Sequence, residues 1–283
     1  MERIVTPTEA DYVTVTGMVG ALCGTYPFLT AAPIGHSIEQ RKLWGLTLGC
    51  GKERVLMAAA FHGQEWLTTL VCLQLCEDIC RALSLHRELC GWDLHRALQG
   101  RSLVFVPLVN PDGVQRALQE RDGHWQANAR GVDLNHNFNA GWEELQRLER
   151  KNGIVGPGPR QWGGPHPESE PETAALTALC RRAGFRHAVA LHSQGEEIYW
   201  QYGEHTPPSS KLMAMVMASV SGYTVSAPTG LASHGGFKDW FIEQWHRPAF
   251  TVELGKGINP LPLTEYPSVY EKAREMLLIS LLM

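Results

Sequence analysis

The sequence predicts an α/β domain built on a largely parallel central sheet, and three observations lead there. Apolar runs rich in β-branched residues alternate with helical patterns from Val55 to the carboxyl end, the order expected of strands joined by crossover helices. The 283 residues are 44% hydrophobic and 19% charged, which suits a globular chain with a large buried core. No repeat or low-complexity tract divides the chain, and the Gly- and Pro-rich stretch Asn152 to Pro171 reads as a surface loop rather than a linker. One domain over residues 1–283 is therefore expected, with residues 1–27 as a helical lead-in to it.

Taken in order, Thr8-Glu9-Ala10-Asp11 is a helix start for Thr8 to Cys23. Leu29 to Ile34, Leu43 to Leu48 and Val55 to Phe61 are short strand candidates between turn residues. They predict an antiparallel start that feeds the strand leading into His62. Trp66 to Leu89 reads as a long helix ended by Gly91, with Leu67, Leu70, Val71, Leu73, Leu75 and Ile79 on its apolar face. Asp93 to Leu98 is a short helix, and Ser102 to Val109 a buried strand followed by a tight turn at Asn110-Pro111-Asp112-Gly113.

Glu120 to Ala140 lacks periodicity and is dense in polar and aromatic residues, as a site-bearing loop would be. Trp142 to Arg150 forms a charged helix, and Ser169-x-x-Glu172 caps a helix running to Ala183. The loop between them, Asn152 to Pro171, is a candidate to close over a substrate. His187 to Ser193 is an apolar strand, Lys211 to Val220 a helix whose Met213, Met215 and Met217 fill core, Phe250 to Leu254 a strand and Tyr266 to Leu282 the terminal helix.

Composition narrows the function. A formal charge of −4 with Lys and Arg scattered lacks the basic surplus that nucleic acid requires. No basic start followed by an apolar core opens the chain, and no apolar run approaches the roughly 18 residues of a membrane span. Cytoplasmic residence without a membrane partner is the expectation. Seven cysteines, none in a C-x-x-C pair, and Cys72, Cys76 and Cys80 spaced four apart on one helix face read as small buried hydrophobes in a reducing compartment.

Four strand ends carry chemistry-bearing residues: His62 with Glu65, Asn110-Pro111-Asp112, His192 with Ser193, and Glu253. The carboxyl ends of strands in open α/β sheets are where ligands bind. An imidazole and a carboxylate three residues apart at a strand end can converge on one ion, and a catalytic zinc takes three protein ligands plus water. A lone histidine after an apolar strand is more often a hydrogen-bonded residue, but beside His62 and Glu65 it is the natural third ligand. Glu253, flanked by Val252 and Leu254, is costly to bury unless paired or functional.

The ordered set His62-Gly63-Gln64-Glu65-Trp66, Asn110-Pro111-Asp112-Gly113, Gly131-Val132-Asp133-Leu134-Asn135-His136-Asn137-Phe138, Ser169-Glu170-Pro171-Glu172-Thr173, His192-Ser193 and Phe250-Thr251-Val252-Glu253-Leu254 resembles the zinc carboxypeptidase family. The resemblance implies a mixed, mainly eight-stranded twisted sheet flanked by helices on both faces, one Zn2+ ion and a peptide substrate. It makes His62, Glu65 and His192 the zinc ligands and Glu253 the general base. Asp133 becomes a carboxylate that orients a liganding histidine, and Asn135 a substrate-binding residue.

Departures from the family pattern fall at the substrate end. His136 stands where an arginine would clamp a terminal carboxylate, and an imidazole has no bidentate fork. Leu231 stands where a phenol is expected. Gln126 occupies the place of an oxyanion-stabilising arginine, which leaves Arg130, or else Arg116, to take that role. The text from Trp125 through Gly131-Val132-Asp133-Leu134-Asn135 to Gly141-Trp142 resembles the bacterial branch that cleaves the γ-D-glutamyl-diaminopimelate bond of cell-wall muropeptides. A carboxypeptidase with a relaxed clamp, an N-acyl-amino-acid deacylase and a non-catalytic peptide-binding relative are the other readings.

Overall fold

The computed structural model describes residues 2–120 and 123–283. The readings above that touch Met1, Arg121 and Asp122 lie outside them. In chain order the elements are α1 (Tyr12–Thr25), β1 (Leu29–His36), β2 (Lys42–Leu48), β3 (Glu53–Ala59), α2 (Leu67–Ser84), α3 (Leu94–Ala97), β4 (Arg101–Val106), α4 (Pro111–Gln119), α5 (Trp142–Lys151) and α6 (Pro171–Ala183). They continue with β5 (His187–His192), β6 (Glu197–Tyr199), α7 (Pro208–Ser221), β7 (Thr224–Ser226), α8 (Phe237–Trp245), β8 (Ala249–Glu253) and α9 (Tyr266–Leu282). Among the described residues, eight strands form one mixed sheet in the order β1-β2-β4-β3-β5-β8-β6-β7.

The centre of the sheet is parallel: β4 pairs with β3, β3 with β5, and β5 with β8. β1 and β2 form the expected antiparallel hairpin, but β3 does not continue it. β4 lies between, antiparallel to β2 and parallel to β3, because α2 gives the chain the length to cross over and return into that slot. Successive apolar runs carry no information about such an insertion.

Alternation along the central strands divides the core. Val55, Met57 and Ala59 of β3, with Val189 and Leu191 of β5, pack with α2 and α9 on one face. Leu56 and Ala58, with Ala188 and Ala190, pack with α6 and α8 on the other. Both faces are covered, which is why these strands read as continuous apolar runs. Cys72, Cys76 and Cys80 are fully buried in α2. Of the three methionines expected in the core, Met217 is buried while Met215 is exposed, since a spacing of two on a helix cannot keep three side chains on one face. No helix among the described residues is long and apolar enough to cross a membrane.

Several local readings are corrected. Asn110-Pro111-Asp112-Gly113 is the first turn of α4, with Asn110 as its N-cap and Pro111 at the first helical position. Pro suits that position because its missing N–H is not needed there. Ser169 does not cap α6, which starts from Glu170 without a side-chain cap. Its hydroxyl instead donates to Glu170 and accepts from Asn137 Nδ2. The Glu172 carboxylate reaches across to accept from the Ile38 N–H. β6, β7 and α8 had no counterpart in the sequence reading; two of them are only three residues long.

Asn110 ties these elements together. Its Nδ2 donates to the carbonyls of Phe61, 3.0 Å, and Gln126, 3.1 Å, while its Oδ1 accepts from the Gly113 N–H at 2.9 Å. Asn110→Ala removes a cap and leaves buried carbonyls short of a donor, so we expect a loss of about 2–4 kcal/mol in urea unfolding. A loss below about 1 kcal/mol would show that the clamp contributes little beyond a surface cap.

β5 opens on buried His187, whose Nε2–H donates to the Ser280 carbonyl of α9 at 2.6 Å. Burial pushes this imidazole down from 6.5 to about 4. A depressed folded-state value means that its contribution to stability is complete above pH 6.5 and is lost as the pH falls to about 4, amounting to about 3 kcal/mol. His187→Gln keeps a donor and cannot titrate there, so the unaltered protein should lose about 3 kcal/mol relative to the variant as the pH falls through that window. Parallel curves would rule out His187 as the titrating group.

Candidate active site

β3 leaves the sheet at Ala60, whose φ of 53° is a left-handed conformation uncommon for a residue with a side chain. Thr68, in the first turn of α2, holds it there. Its hydroxyl accepts from the Ala60 N–H at 3.0 Å and donates to the Glu65 carbonyl at 2.8 Å. A single 3-10 turn, Gly63–Glu65, follows. The N–H groups of Gly63 and Gln64 donate to the carbonyls of Gln126 and Trp125 at 2.9 and 2.7 Å. A Cβ on Gly63 would stand 2.2 Å from the Gly113 carbonyl oxygen, so only glycine fits between this turn and α4.

That turn sets buried Glu65 between two imidazoles. Its Oε1 is 2.7 Å from His62 Nδ1 and its Oε2 is 3.0 Å from His192 Nδ1. The other nitrogen of His62, Nε2, is 3.1 Å from Asp133 Oδ1. Asp133 is itself fixed by the Asn135 and Gln161 N–H groups, each at 3.0 Å. His192 stacks on Phe61 with ring centroids 5.0 Å apart.

His62, Glu65 and His192 each offer one ligand atom, all within 4.8 Å of one another, and among the described residues they form the one group of this kind. Two imidazole nitrogens and a carboxylate oxygen, with a fourth direction open to the cavity, is a donor set that can hold one zinc ion. The electrostatics fit a cation. Burial would lower the His62 imidazole, but the Glu65 and Asp133 carboxylates raise it well above its ordinary value. Burial likewise opposes ionisation of Glu65, yet His62 and His192 hold its carboxyl below the usual range. The site is thus built around negative charge that wants a positive partner.

Glu253 closes the arrangement. Parallel pairing sets it directly opposite His192 at the ends of β8 and β5. Burial, and then the Glu65 carboxylate, raise its carboxyl well above the ordinary range. His62, His192 and Glu253 line a cavity of about 180 Å³, with Glu65 behind them.

Of the other residues singled out from sequence, Asp133, Asn135, His136, Gln126 and Leu231 all line this cavity. Asn135 Oδ1 accepts from the Phe237 N–H at 3.0 Å and so ties the start of α8 to the site. His136 is buried, with Nδ1 3.0 Å from Glu149 Oε1 and 3.0 Å from the Gln161 carbonyl. Burial lowers this imidazole, and Asp133 with Glu149 more than offset that and raise it.

Arg130 is not brought to the site. Its guanidinium is engaged by both oxygens of the buried Glu170, at 3.0 Å each, and by the Ser169 carbonyl. Arg116 stacks 3.3 Å above the Trp125 ring and pairs with Glu120. Neither lines the cavity, because each has a closer anionic partner on its own side of the molecule.

The loop between α5 and α6 contributes Gln161 to the cavity wall, and its backbone there is bonded to both Asp133 and His136. At that point it is a fixed wall rather than a free cover. Tyr199, Lys238, Asp239 and Thr251 also line the cavity and were not singled out from sequence. A readable signal existed for two of them. Lys238 and Asp239 are adjacent charges at the start of a stretch, Phe237 to Trp245, that holds four aromatic residues.

Comparison with known proteins agrees with this geometry. A family model described as zinc carboxypeptidase matches residues 17–275. The chain is 35% identical over 290 residues to gamma-D-glutamyl-L-diamino acid endopeptidase 1 of Lysinibacillus sphaericus, covering 96% of this chain and 72% of that protein. It is 26% identical over 252 residues to carboxypeptidase B of Rattus norvegicus, covering 80% of this chain and 58% of that protein. The solved structure of thrombin activatable fibrinolysis inhibitor superposes with a TM-score of 0.81 at 18% identity, over 99% of this chain and 76% of that one. The last comparison speaks to the fold.

Dialysis against zinc followed by elemental analysis should give one equivalent per chain. His192→Ala should lose most of that affinity, and Asp133→Asn should weaken it by about 10- to 100-fold while keeping the stoichiometry. Unchanged affinity in His192→Ala would remove the three-residue site from consideration.

Proposed function

The chain belongs to the zinc carboxypeptidase family of metallopeptidases, and from that premise we propose that it hydrolyses the amide between the γ-carboxyl of D-glutamate and diaminopimelate in cell-wall muropeptides. The observation that carries this reading is the 35% identity, along 96% of the chain, to a protein named for cleavage at a γ-D-glutamyl-L-diamino acid bond. The cavity supports it. Among the described residues no arginine lines the cavity, so none of them offers a bidentate clamp for the terminal carboxylate of an ordinary peptide.

In this mechanism His62, Glu65 and His192 hold the zinc. The ion supplies a Lewis acid that brings the pKa of a water toward about 7 and polarises the scissile carbonyl. Glu253, whose carboxyl burial and Glu65 raise, accepts a proton as the water oxygen bonds to the γ-carbonyl carbon. It then delivers that proton to the departing α-amine of diaminopimelate as the C–N bond breaks. Asp133, bound to His62 Nε2, would fix the ring's orientation and tautomer so that Nδ1 is free to act as a ligand. Asn135 and His136 contact the substrate. All seven cysteines are unpaired, which suits residence in the reducing cytosol, where such an enzyme would act on imported or internally released muropeptides.

Incubation of the zinc-loaded protein with L-Ala-γ-D-Glu-meso-diaminopimelate should release L-Ala-D-Glu and the free diamino acid, detected by mass spectrometry. Glu253→Gln should lower kcat by about 10²- to 10⁴-fold with zinc content unchanged. Cleavage of plain L-peptides alone would replace this reading with that of an ordinary carboxypeptidase, and loss of zinc in Glu253→Gln would displace Glu253 from the role of base.

A further inference from the structure

α5 is mostly charged, yet Glu149, one turn beyond Leu145, is fully buried. A buried carboxylate is costly unless it is paired, and this one is. Its Oε1 accepts from the Gly163 N–H at 2.9 Å and stands 3.0 Å from His136 Nδ1, while its Oε2 accepts from Gln146 Nε2 at 2.7 Å. Trp142 Nε1–H, at the start of the same helix, donates to the Gly163 carbonyl at 3.1 Å. The helix, the loop after it and the His136 ring are thereby held as one unit.

Geometry settles the proton on Nδ1. The Gln161 carbonyl oxygen also lies 3.0 Å from it, and a carbonyl can only accept, so Nδ1 carries a hydrogen. The other ring nitrogen, Nε2, has no partner among the described residues, and the ring lines the cavity. A neutral ring of this tautomer would present a lone pair there, whereas an imidazolium would present an N–H. Burial, and to a lesser degree His62, lowers this imidazole; Asp133 and Glu149 raise it by more. Asp133 is shared with His62, so Glu149 is the carboxylate that serves the His136 ring alone. Lys238 and Asp239 of α8, on the same cavity wall, are paired with each other.

Resting on the muropeptide reading, we propose that Glu149 is a positioning residue that holds His136 as an imidazolium, so that its Nε2–H binds one carboxylate of the substrate. An imidazolium in a buried wall would otherwise lose its proton to the cost of burial. A carboxylate against its far nitrogen keeps the charge and fixes the plane of the ring. The muropeptide offers three carboxylates, one on D-glutamate that the γ-linkage leaves free and two on diaminopimelate. All have the same chemistry toward a donor that makes one charge-assisted bond.

Two measurements test this. In the zinc-loaded protein the His136 ring, identified by the NMR signal missing from His136→Gln, should titrate about one pH unit or more above its value in Glu149→Gln. That titration requires no turnover, so it judges the pairing apart from the muropeptide reading. The second measures KM and kcat on L-Ala-γ-D-Glu-meso-diaminopimelate and on the same peptide amidated at each carboxylate in turn. One of the three amides should raise the KM of the unaltered enzyme about 10-fold or more with kcat little changed, and His136→Gln should no longer distinguish that amide from the free acid. A ring with a raised value is charged at low pH and neutral above it, so 1/KM should fall as the pH rises. In Glu149→Gln the fall should come about one pH unit lower, a displacement that loss of packing would not produce. Melting temperature and zinc content establish that the variants are folded, and the amide comparison needs no variant. Equal titration of His136 in the two proteins overturns the role of Glu149. Cleavage of the free acid with a KM that no amidation changes overturns the carboxylate site and leaves the proposed activity standing. No cleavage of the free acid overturns the muropeptide reading and the carboxylate ligand together, while the NMR titration still decides the pairing.

Discussion

Parallel pairing of β5 with β3 on one side and β8 on the other, with Ala59 opposite Leu191 and His192 opposite Glu253, delivers three strand ends to one edge of the sheet. Every functional side chain depends on that register. A strand displaced by one residue would turn its polar terminal side chain to the opposite face and break the core alternation. The apolar cost of such a slip would fall on both faces at once, since Val55, Met57 and Ala59 are buried on one and Leu56 and Ala58 on the other. The core therefore specifies the site, and touches it at Phe61 under His192.

A layer of buried polar contacts then converts strand ends into a fixed geometry. Asn110 holds the β3 exit against the loop at Gln126, Thr68 holds Ala60 and Glu65, and Asp133 joins His62 to the backbone of Asn135 and Gln161. Nearly every donor and acceptor in this layer is matched, so it can be buried without a large desolvation penalty and allows few alternative arrangements. The left-handed Ala60 is a local cost that these contacts offset. A polar residue that reads from sequence as a turn former, Asn110, is thus one of the parts that position the metal-binding turn.

The two ends of the cavity follow different logic. At the zinc end, carboxylates and imidazoles alternate, each raising or lowering its neighbour's proton affinity, and the excess of negative charge suits a cation. Arg130 and Arg116, the candidates for stabilising the oxyanion, are held away from the cavity by Glu170 and by Trp125 with Glu120, and a buried lysine–aspartate pair lines the wall away from the zinc site. The candidate zinc ligands and Glu253 stand at or just beyond the ends of β3, β5 and β8, while the start of α8 and the loop after α5 form another part of the cavity wall.

Long apolar runs, their alternation with helical patterns and the polar residues at their ends were legible in the sequence, because burial on both faces of a sheet leaves an unmistakable apolar text and a polar residue within it stands out. His62, Glu65, His192 and Glu253 could be picked out for that reason, and the order of their motifs pointed to the family. Strand order was not legible, because a crossover helix lets β4 settle on either side of β3 with the same residues buried. Neither were β6, β7 and α8, two of them too short to show a period. Arg130 could not be excluded from the site by sequence, since the Glu170 that holds it lies forty residues away along the chain. What the amino-acid sequence alone determined was which residues must be buried and which polar groups stand at strand ends. Only the tertiary structure decided which of them meet, because charge pairs and hydrogen bonds are settled by distance in space, and that distance is set by strand register and by the loops that fold back across the edge of the sheet.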